Sequence, residues 1–192
     1  ARRANHALTI VLHWLPGVDQ VGFEARAAGL GTRSIKNESK RWAIDLAISM
    51  IDLTTLEGAD THGRVRGLAA KALTPDPSDL TTPRPAAVCV YGDMVATAKA
   101  ALGDSGVKVA AVATAFPSGR ASMPVKLLDT KDAVKAGADE IDMVIDRGAF
   151  LSGDYLTVFH QIAEVKRACG AVDGKHARLK VIMETGELNT YD

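Results

Sequence analysis

The 192-residue chain has few aromatic residues, two cysteines and no excess of either charge sign. Its 23 Lys and Arg balance 23 Asp and Glu, which argues against a nucleic-acid-binding protein held by bulk positive charge. Aromatic residues make up 5% and apolar residues 47%, a composition typical of a soluble α/β protein. Cys89 and Cys169 have neither paired nor metal-ligand spacing. We therefore expect a reduced, cytoplasmic setting.

Long hydrophobic runs and nucleotide-binding motifs are also missing. No stretch approaches the ~20 apolar residues of a transmembrane helix, so we expect no membrane partner. Arg2 and Arg3 precede the apolar run 7–15, as in a signal peptide, but His13 and Trp14 interrupt that run. We expect a helix packed on the body there. Neither G-x-G-x-x-G nor a Walker A pattern follows a strand, so a cradle for nucleotide phosphates is not evident.

From about residue 47 onward, short apolar strands alternate with Ala-rich amphipathic helices. The pattern predicts strands at 49–53, 86–91, 107–115, 140–145 and 179–183, and helices at 63–73, 93–102, 125–136 and 155–168. Gly106, Gly137 and Gly170 lie where helices are expected to stop. Alternation of this kind predicts a parallel sheet, because each crossover returns the chain to the same edge.

The repeat, of about 33 residues per unit, fits either a doubly wound sheet or a barrel of βα units. Residues 1–46 differ from it, because they contain three helical pieces and no strand pattern. We expect two regions: a helical arm at 1–46 that covers the barrel bottom or a partner subunit, and the βα array at 47–192.

Asp142 is the first candidate for chemistry. In the segment 137–146, Ile141, Met143 and Ile145 fall on one face of a strand and Asp142 and Val144 on the other. A carboxylate removed from water is costly unless something pairs with it, so Asp142 should face a polar cavity or a cation. The alternative is that Asp142 sits at a strand end and caps the next turn.

Four further polar residues lie in or beside other predicted strands: Asp52, Thr54, Cys89 and Lys180. Their faces can converge with that of Asp142 on one interior. Lys180 would either place charge near the site or form a structural ion pair with an interior carboxylate. For Cys89, the alternative to a place in the pocket is that of a small buried filler.

Five segments in order resemble the deoxyribose-phosphate aldolase family. They are IDLTTL (51–56), AAVCVY (86–91), FPSG (116–119), ADEIDMVID (138–146) and LKVIMETGEL (179–188). Each is weak alone, but each falls at a strand of the βα repeat, and the resemblance runs from about residue 45 to the end.

The resemblance implies a (β/α)8 TIM barrel, of which about five βα units are here, preceded by the helical arm. It implies a class I lyase, active in deoxyribonucleotide catabolism and carbohydrate degradation, that uses a lysine Schiff base and no metal or other cofactor. The expected substrate is the sugar phosphate 2-deoxy-D-ribose 5-phosphate, which the family cleaves reversibly to acetaldehyde and glyceraldehyde 3-phosphate.

The same resemblance gives the candidate residues their roles. Asp142 matches the family's catalytic aspartate, which relays protons. Asp52, Thr54, Cys89 and Lys180 match positions that bind substrate or line the pocket.

The family's Schiff-base lysine, second lysine and phosphate loops belong to later strands that have no counterpart here. A full barrel would need about 100 more residues. We therefore expect this chain to be inactive alone and do not expect Lys180 to replace the Schiff-base lysine. The alternatives are a non-catalytic partial barrel that associates with itself or another chain, and another Schiff-base barrel aldolase. A homodimer is the expected assembly.

Overall fold

Five parallel strands form one sheet in the computed structural model, which describes residues 2–170, 172–188 and 190–191. The strands are β1 (Asp52–Thr54), β2 (Ala87–Tyr91), β3 (Lys108–Ala113), β4 (Glu140–Val144) and β5 (Arg178–Ile182). Their spatial order, β1-β2-β3-β4-β5, equals their order in the chain. A doubly wound sheet would reverse its order at a switch point, whereas successive strands of a barrel always lie side by side. The order is therefore that of a barrel.

The sheet also curls. Across a flat sheet, β1 and β5 would lie about 19 Å apart, four strand spacings. Instead the Lys180 Nζ on β5 lies 2.5 Å from Asp52 Oδ2 on β1. The sheet therefore encloses an interior, with the helices on its outer side.

Eight α-helices accompany the strands in the described part of the chain. They are α1 (Arg2–His13), α2 (Gln20–Gly31), α3 (Asn37–Met50), α4 (His62–Leu73), α5 (Val95–Leu102), α6 (Met123–Ala136), α7 (Arg147–Leu151) and α8 (Tyr155–Ala168). Local sequence sets several ends. Thr61 and Asp154 accept the backbone N–H groups of Arg64 and Thr157 as N-caps of α4 and α8. Gly137 ends α6 with a φ of 108°.

Side chains alternate between the two faces of the sheet, as the period of two requires. The outer face meets the helices in an aliphatic core that includes Val88, Val90, Val109, Ile141 and Met143, all buried. The inner face carries a smaller buried cluster of Ala87, Cys89, Ala110 and Val112. The predicted division of β4 between two faces is therefore present, with Ile141 and Met143 on the outer side.

Two predicted strands were placed wrongly at their ends. Ser49 and Met50 belong to α3, and β1 begins at Asp52, because the helix continues up to the strand without a loop. β3 ends at Ala113 instead of residue 115, since Thr114 and Ala115 take positive φ angles of 65° and 61° that turn the chain out of the sheet. The remaining predicted strands and helices agree with the structure to within about two residues, with a short 3-10 turn (Gly92–Met94) opening the predicted helix 93–102.

The predicted arm consists of α1, α2 and α3, and its third helix extends past residue 46 to Met50. α1 packs against α8. The side chain of Asn5 donates to Gly153 O (2.9 Å) and accepts from Leu156 N (3.0 Å), which fixes α1 at the start of α8. Because α8 begins on the side where β4 ends, this contact lies toward the carboxyl ends of the strands. Of the two places expected for the arm, the barrel bottom is therefore wrong for α1, whereas a partner subunit stays a prediction. Among the described helices, none is long and apolar enough to cross a membrane.

Candidate active site

One ammonium group sits among three carboxylates in the interior of the sheet. The Lys180 Nζ lies 2.5 Å from Asp52 Oδ2, 3.0 Å from Glu140 Oε2 and 3.1 Å from Asp142 Oδ1. The strand register brings these groups together, because Asp142 pairs with Lys180 and Glu140 lies two residues earlier on the same face of β4. The four side chains carry three negative charges and one positive charge, so the cluster has an excess of negative charge.

Lys180 is held as a cation. Burial alone would lower the pKa of its ammonium, but hydrogen bonds to Asp52 and Glu140 and the charge of Asp142 outweigh burial and raise that pKa above its usual range. A Schiff base forms only from a neutral amine. Lys180 therefore forms the ion pair that was one of the two sequence interpretations, and its surroundings oppose nucleophilic attack.

Asp142 is the most deeply buried carboxylate of the cluster, with 9% of the residue exposed. Its Oδ2 accepts a weak hydrogen bond from the Cys89 thiol, at an Sγ–Oδ2 distance of 3.8 Å. Its Oδ1 lies near the Lys180 ammonium, but the angles are not those of a hydrogen bond, and no other described residue donates to it. Burial raises the pKa of Asp142, and the positive charge of Lys180 opposes that rise only in part. A buried carboxylate with a raised pKa is suited to taking and returning a proton.

Cys89 adjoins Asp142 on the inner face of β2. Burial, followed by the negative charge of Asp142, raises the pKa of the Cys89 thiol to about 12. The thiol is thus protonated near neutral pH and is a poor nucleophile. Cys89 lines the interior, in keeping with the alternative of a small buried filler.

Asp52 joins the cluster directly, whereas Thr54 does not. Thr54 lies opposite Cys89 in the β1–β2 register, and its hydroxyl donates to Asp52 O at 2.9 Å. Of the five residues singled out in the sequence, the structure therefore brings Asp52, Cys89, Asp142 and Lys180 into contact and leaves Thr54 beside them.

Sequence reasoning missed Glu140, although a signal was available. Glu140 and Asp142 are two residues apart on a strand, so they share a face, and a second acidic residue there predicts a shared cation. The alternative role for Asp142, capping the next turn, belongs to Asp146, whose carboxylate accepts from Ala149 N at 3.0 Å at the start of α7.

A cavity of about 570 Å³ lies at the carboxyl ends of β2 and β3, and none of the four charged residues of the ion cluster lines it. Its lining includes Tyr91, Asp93, Phe116 and Asp129, and the rings of Tyr91 and Phe116 meet edge to face at 6.2 Å. In the part of the chain that the structure describes, no group of three or more His, Cys, Asp or Glu residues is arranged to hold a metal ion. The expectation of a metal-independent reaction stays a prediction.

Comparison with known proteins identifies the relatives of this site. The chain is 39% identical over 171 residues to the deoxyribose-phosphate aldolase of Mus musculus and 38% identical over 171 residues to that of Homo sapiens; each match covers 82% of this chain and 51% of the relative. The chain thus spans about half the length of the curated relatives it matches.

Solved structures agree with this result. A candidate deoxyribose-phosphate aldolase from Coccidioides immitis has a TM-score of 0.66 at 31% identity, over 76% of this chain and 52% of that one. The deoxyribose phosphate aldolase of Aeropyrum pernix, described as having a unique tetrameric structure, has a TM-score of 0.56 at 25% identity, over 74% and 54%. The model of the DeoC/LacD family aldolases matches residues 46–190. The chain therefore belongs to the DeoC/LacD family of aldolases, and its parallel five-stranded sheet is similar in structure to their TIM barrels.

Proposed function

We propose that these residues form the β1–β5 part of a deoxyribose-phosphate aldolase that cleaves 2-deoxy-D-ribose 5-phosphate to acetaldehyde and glyceraldehyde 3-phosphate. The observation that carries the proposal is the carboxylate of Asp142, buried, with one oxygen lacking a hydrogen-bond donor among the described residues and with its pKa raised. Membership of an aldolase family and the names of the relatives support the choice of reaction.

The chemistry requires a neutral lysine that forms an imine with the substrate aldehyde. The carbon–carbon bond then breaks, the substrate hydroxyl loses its proton, and the electron pair moves into the imine to give an enamine. The proton taken from the hydroxyl is then delivered to the enamine carbon, and water hydrolyses the resulting imine to release acetaldehyde and the free lysine. We assign these proton transfers to Asp142, acting directly or through a water molecule.

Lys180 serves a different purpose in this scheme. Its ammonium offsets part of the negative charge of Asp52, Glu140 and Asp142 and fixes their positions. The excess negative charge that remains would favour a second cation in the same interior. We propose that the Schiff-base lysine lies outside these 192 residues, in the part of the barrel that the relatives have and this chain does not match.

Reductive trapping tests the assignment. A complete barrel that contains these residues, incubated with 2-deoxyribose 5-phosphate and borohydride, should carry a reduced adduct on a lysine outside residues 1–192. Peptide mass spectrometry should find Lys180 unmodified, and the 192-residue chain alone should gain no adduct. A stable adduct on Lys180 would contradict the role given to it here.

Asp142→Asn in the complete barrel tests the proton transfers. Because the amide cannot take or return a proton, turnover should fall by about 10²–10⁴-fold. The matched control is Asp154→Asn, which changes the N-cap of α8 and no member of the ion cluster, and should leave turnover within about twofold. Near-normal turnover in Asp142→Asn would return Asp142 to a structural role.

The trapping experiment and size-exclusion chromatography also test two other functions. If the chain is a non-catalytic protein that associates through its open sheet, size-exclusion chromatography should show a stable oligomer and the borohydride experiment no adduct in any form. If the enzyme is a Schiff-base aldolase for a ketose bisphosphate, the adduct should form with that sugar and not with 2-deoxyribose 5-phosphate. A homodimer in the cytoplasm stays a prediction.

A further inference from the structure

Three loops at the carboxyl ends of neighbouring strands meet at one arginine. Arg147 opens α7, directly after β4. Its Nη1 donates to Pro117 O, in the loop after β3, at 3.2 Å. The same nitrogen pairs with the carboxylate of Glu184, in the segment after β5. The Arg147 side chain is only 21% exposed. It therefore joins the FPSG segment to the ETGEL segment, two sequence motifs for which the catalytic scheme gives no role.

The loop after β3 is fastened to β4 at two more points. The Thr114 hydroxyl accepts from Val144 N at 2.9 Å and donates to Val144 O at 3.2 Å, in place of the main-chain bonds lost when the chain turns away. Gly119, at a φ of 68°, packs so closely that a Cβ there would lie 2.5 Å from Ile145 O. The loop is thus built to lie on the end of β4.

This loop carries Phe116, which packs on the inner cluster that includes Cys89. Its ring meets that of Tyr91 edge to face, and both rings line the cavity of about 570 Å³. Cys89 is 4% exposed and contacts Asp142. Phe116 therefore covers part of the inner cluster to which the Cys89 thiol belongs, and its place depends on the loop that Arg147 holds.

We propose that Arg147 is a positioning residue that, through Pro117 and Glu184, holds the 116–119 loop closed so that Phe116 shields Cys89 and Asp142 from water. The proposal rests on the proposed function only in giving Asp142 a catalytic role. The shielding itself is a property of the fold and is measurable without turnover.

The experiment measures how fast iodoacetamide alkylates Cys89 and Cys169 at pH 8 in a folded complete barrel that contains these residues, with peptide mass spectrometry to distinguish the two cysteines. Arg147→Gln should accelerate alkylation of Cys89 about tenfold, the scale expected when a charge-assisted hydrogen bond that keeps a loop closed is lost. Cys169, buried in the outer core, is the internal reference and should keep its rate within about twofold.

Arg167→Gln is the matched control variant. Arg167 forms an exposed ion pair with Glu164 on α8, away from the three loops. Its loss should therefore change the alkylation rate of neither cysteine. Glu184→Gln leaves the bond from Arg147 to Pro117 in place, so it should accelerate alkylation of Cys89 by only about threefold. This variant replaces Arg147→Gln in the test if Arg147→Gln does not fold.

The proposal is overturned if Cys89 keeps its rate in Arg147→Gln, or if both cysteines accelerate equally, since that result means general loss of stability. Where Arg147→Gln does not fold, an unchanged Cys89 rate in Glu184→Gln overturns it instead. Aldolase turnover is measured separately, so that a failure of the proposed reaction and a failure of the shielding give different results.

Discussion

The two faces of one sheet have opposite chemistry. The outer face of β4 presents Ile141 and Met143 to an aliphatic core, while its inner face presents Glu140 and Asp142 to an ammonium. The outer face stabilises the fold by removing apolar surface from water. The inner face places ionised groups where water is scarce, which opposes folding unless each charge has a partner. Residues adjacent in sequence are therefore expected to contribute to different properties, stability on one face and chemistry on the other.

Ile141→Ala should have the largest effect on stability. Ile141 is fully buried on the outer face, and removing its side chain leaves a cavity that the helices cannot fill, so the free energy of unfolding should fall by about 2–5 kcal/mol. Urea unfolding measures the loss. The control is Val125→Ala on the exposed side of α6, which should change the value by less than about 0.5 kcal/mol. A loss below about 1 kcal/mol for Ile141→Ala would contradict the view that the outer face supplies the stability of the fold.

Lys180→Met tests the inner face. It leaves Asp52, Glu140 and Asp142 together without a cation and should destabilise the chain at pH 7 by about 2–3 kcal/mol, below the range for a fully buried pair because Lys180 is about one-third exposed. Between pH 7 and pH 4 the loss should shrink, since Asp142, whose pKa is raised by burial, then begins to take up a proton. Urea midpoints at both pH values check this. A loss independent of pH would point to packing of the lysine stem.

Asp142→Asn should have the smallest and opposite effect on stability. Because the folded pKa of Asp142 is raised above the unfolded value of 3.8, the folded state binds the proton more tightly. Its contribution to stability is therefore favourable at low pH and declines as pH rises from about 3.8 through the folded pKa. At pH 7 the variant should be more stable than the wild type by about 1 kcal/mol, the low end for a buried acceptor without a donor. The gain should vanish below pH 3.8.

A loss of stability in Asp142→Asn at pH 7, seen in the same urea measurements, would contradict this sign. It would mean that the attraction of Lys180 for the carboxylate outweighs the effect of burial. Together, Lys180→Met and Asp142→Asn therefore measure how much the ammonium and the Asp142 carboxylate each contribute to the free energy of unfolding.

Much of the fold followed from periodicity. The strands that contain Cys89, Asp142 and Lys180 were predicted, because an apolar run between glycines and Ala-rich helices has few other interpretations. The predictions failed where the backbone leaves regular geometry. Ser49 was assigned to a strand because an apolar run does not show where a helix ends. Thr114 was assigned to a strand because the bond from Val144 N to its hydroxyl, which accompanies its positive φ, joins residues distant in sequence.

The candidate site was predicted in part for the same reason. Alternation along β4 indicated the inward side of Asp142, and the same rule applied once more would have added Glu140. The link from Arg147 to Glu184 had no such signal, since it joins loops 37 residues apart whose side chains follow no period.

The sequence by itself determined the alternation of strands and helices, the two faces of each strand and, through the resemblance of five motifs, the aldolase family. These follow from local periodicity and residue chemistry, which act over a few positions. Only the tertiary structure decided that the five strands curl around an interior, that Lys180 is a cation held by three carboxylates and that Arg147 joins three loops. Charges interact through space, and the distances between them depend on how the whole sheet closes.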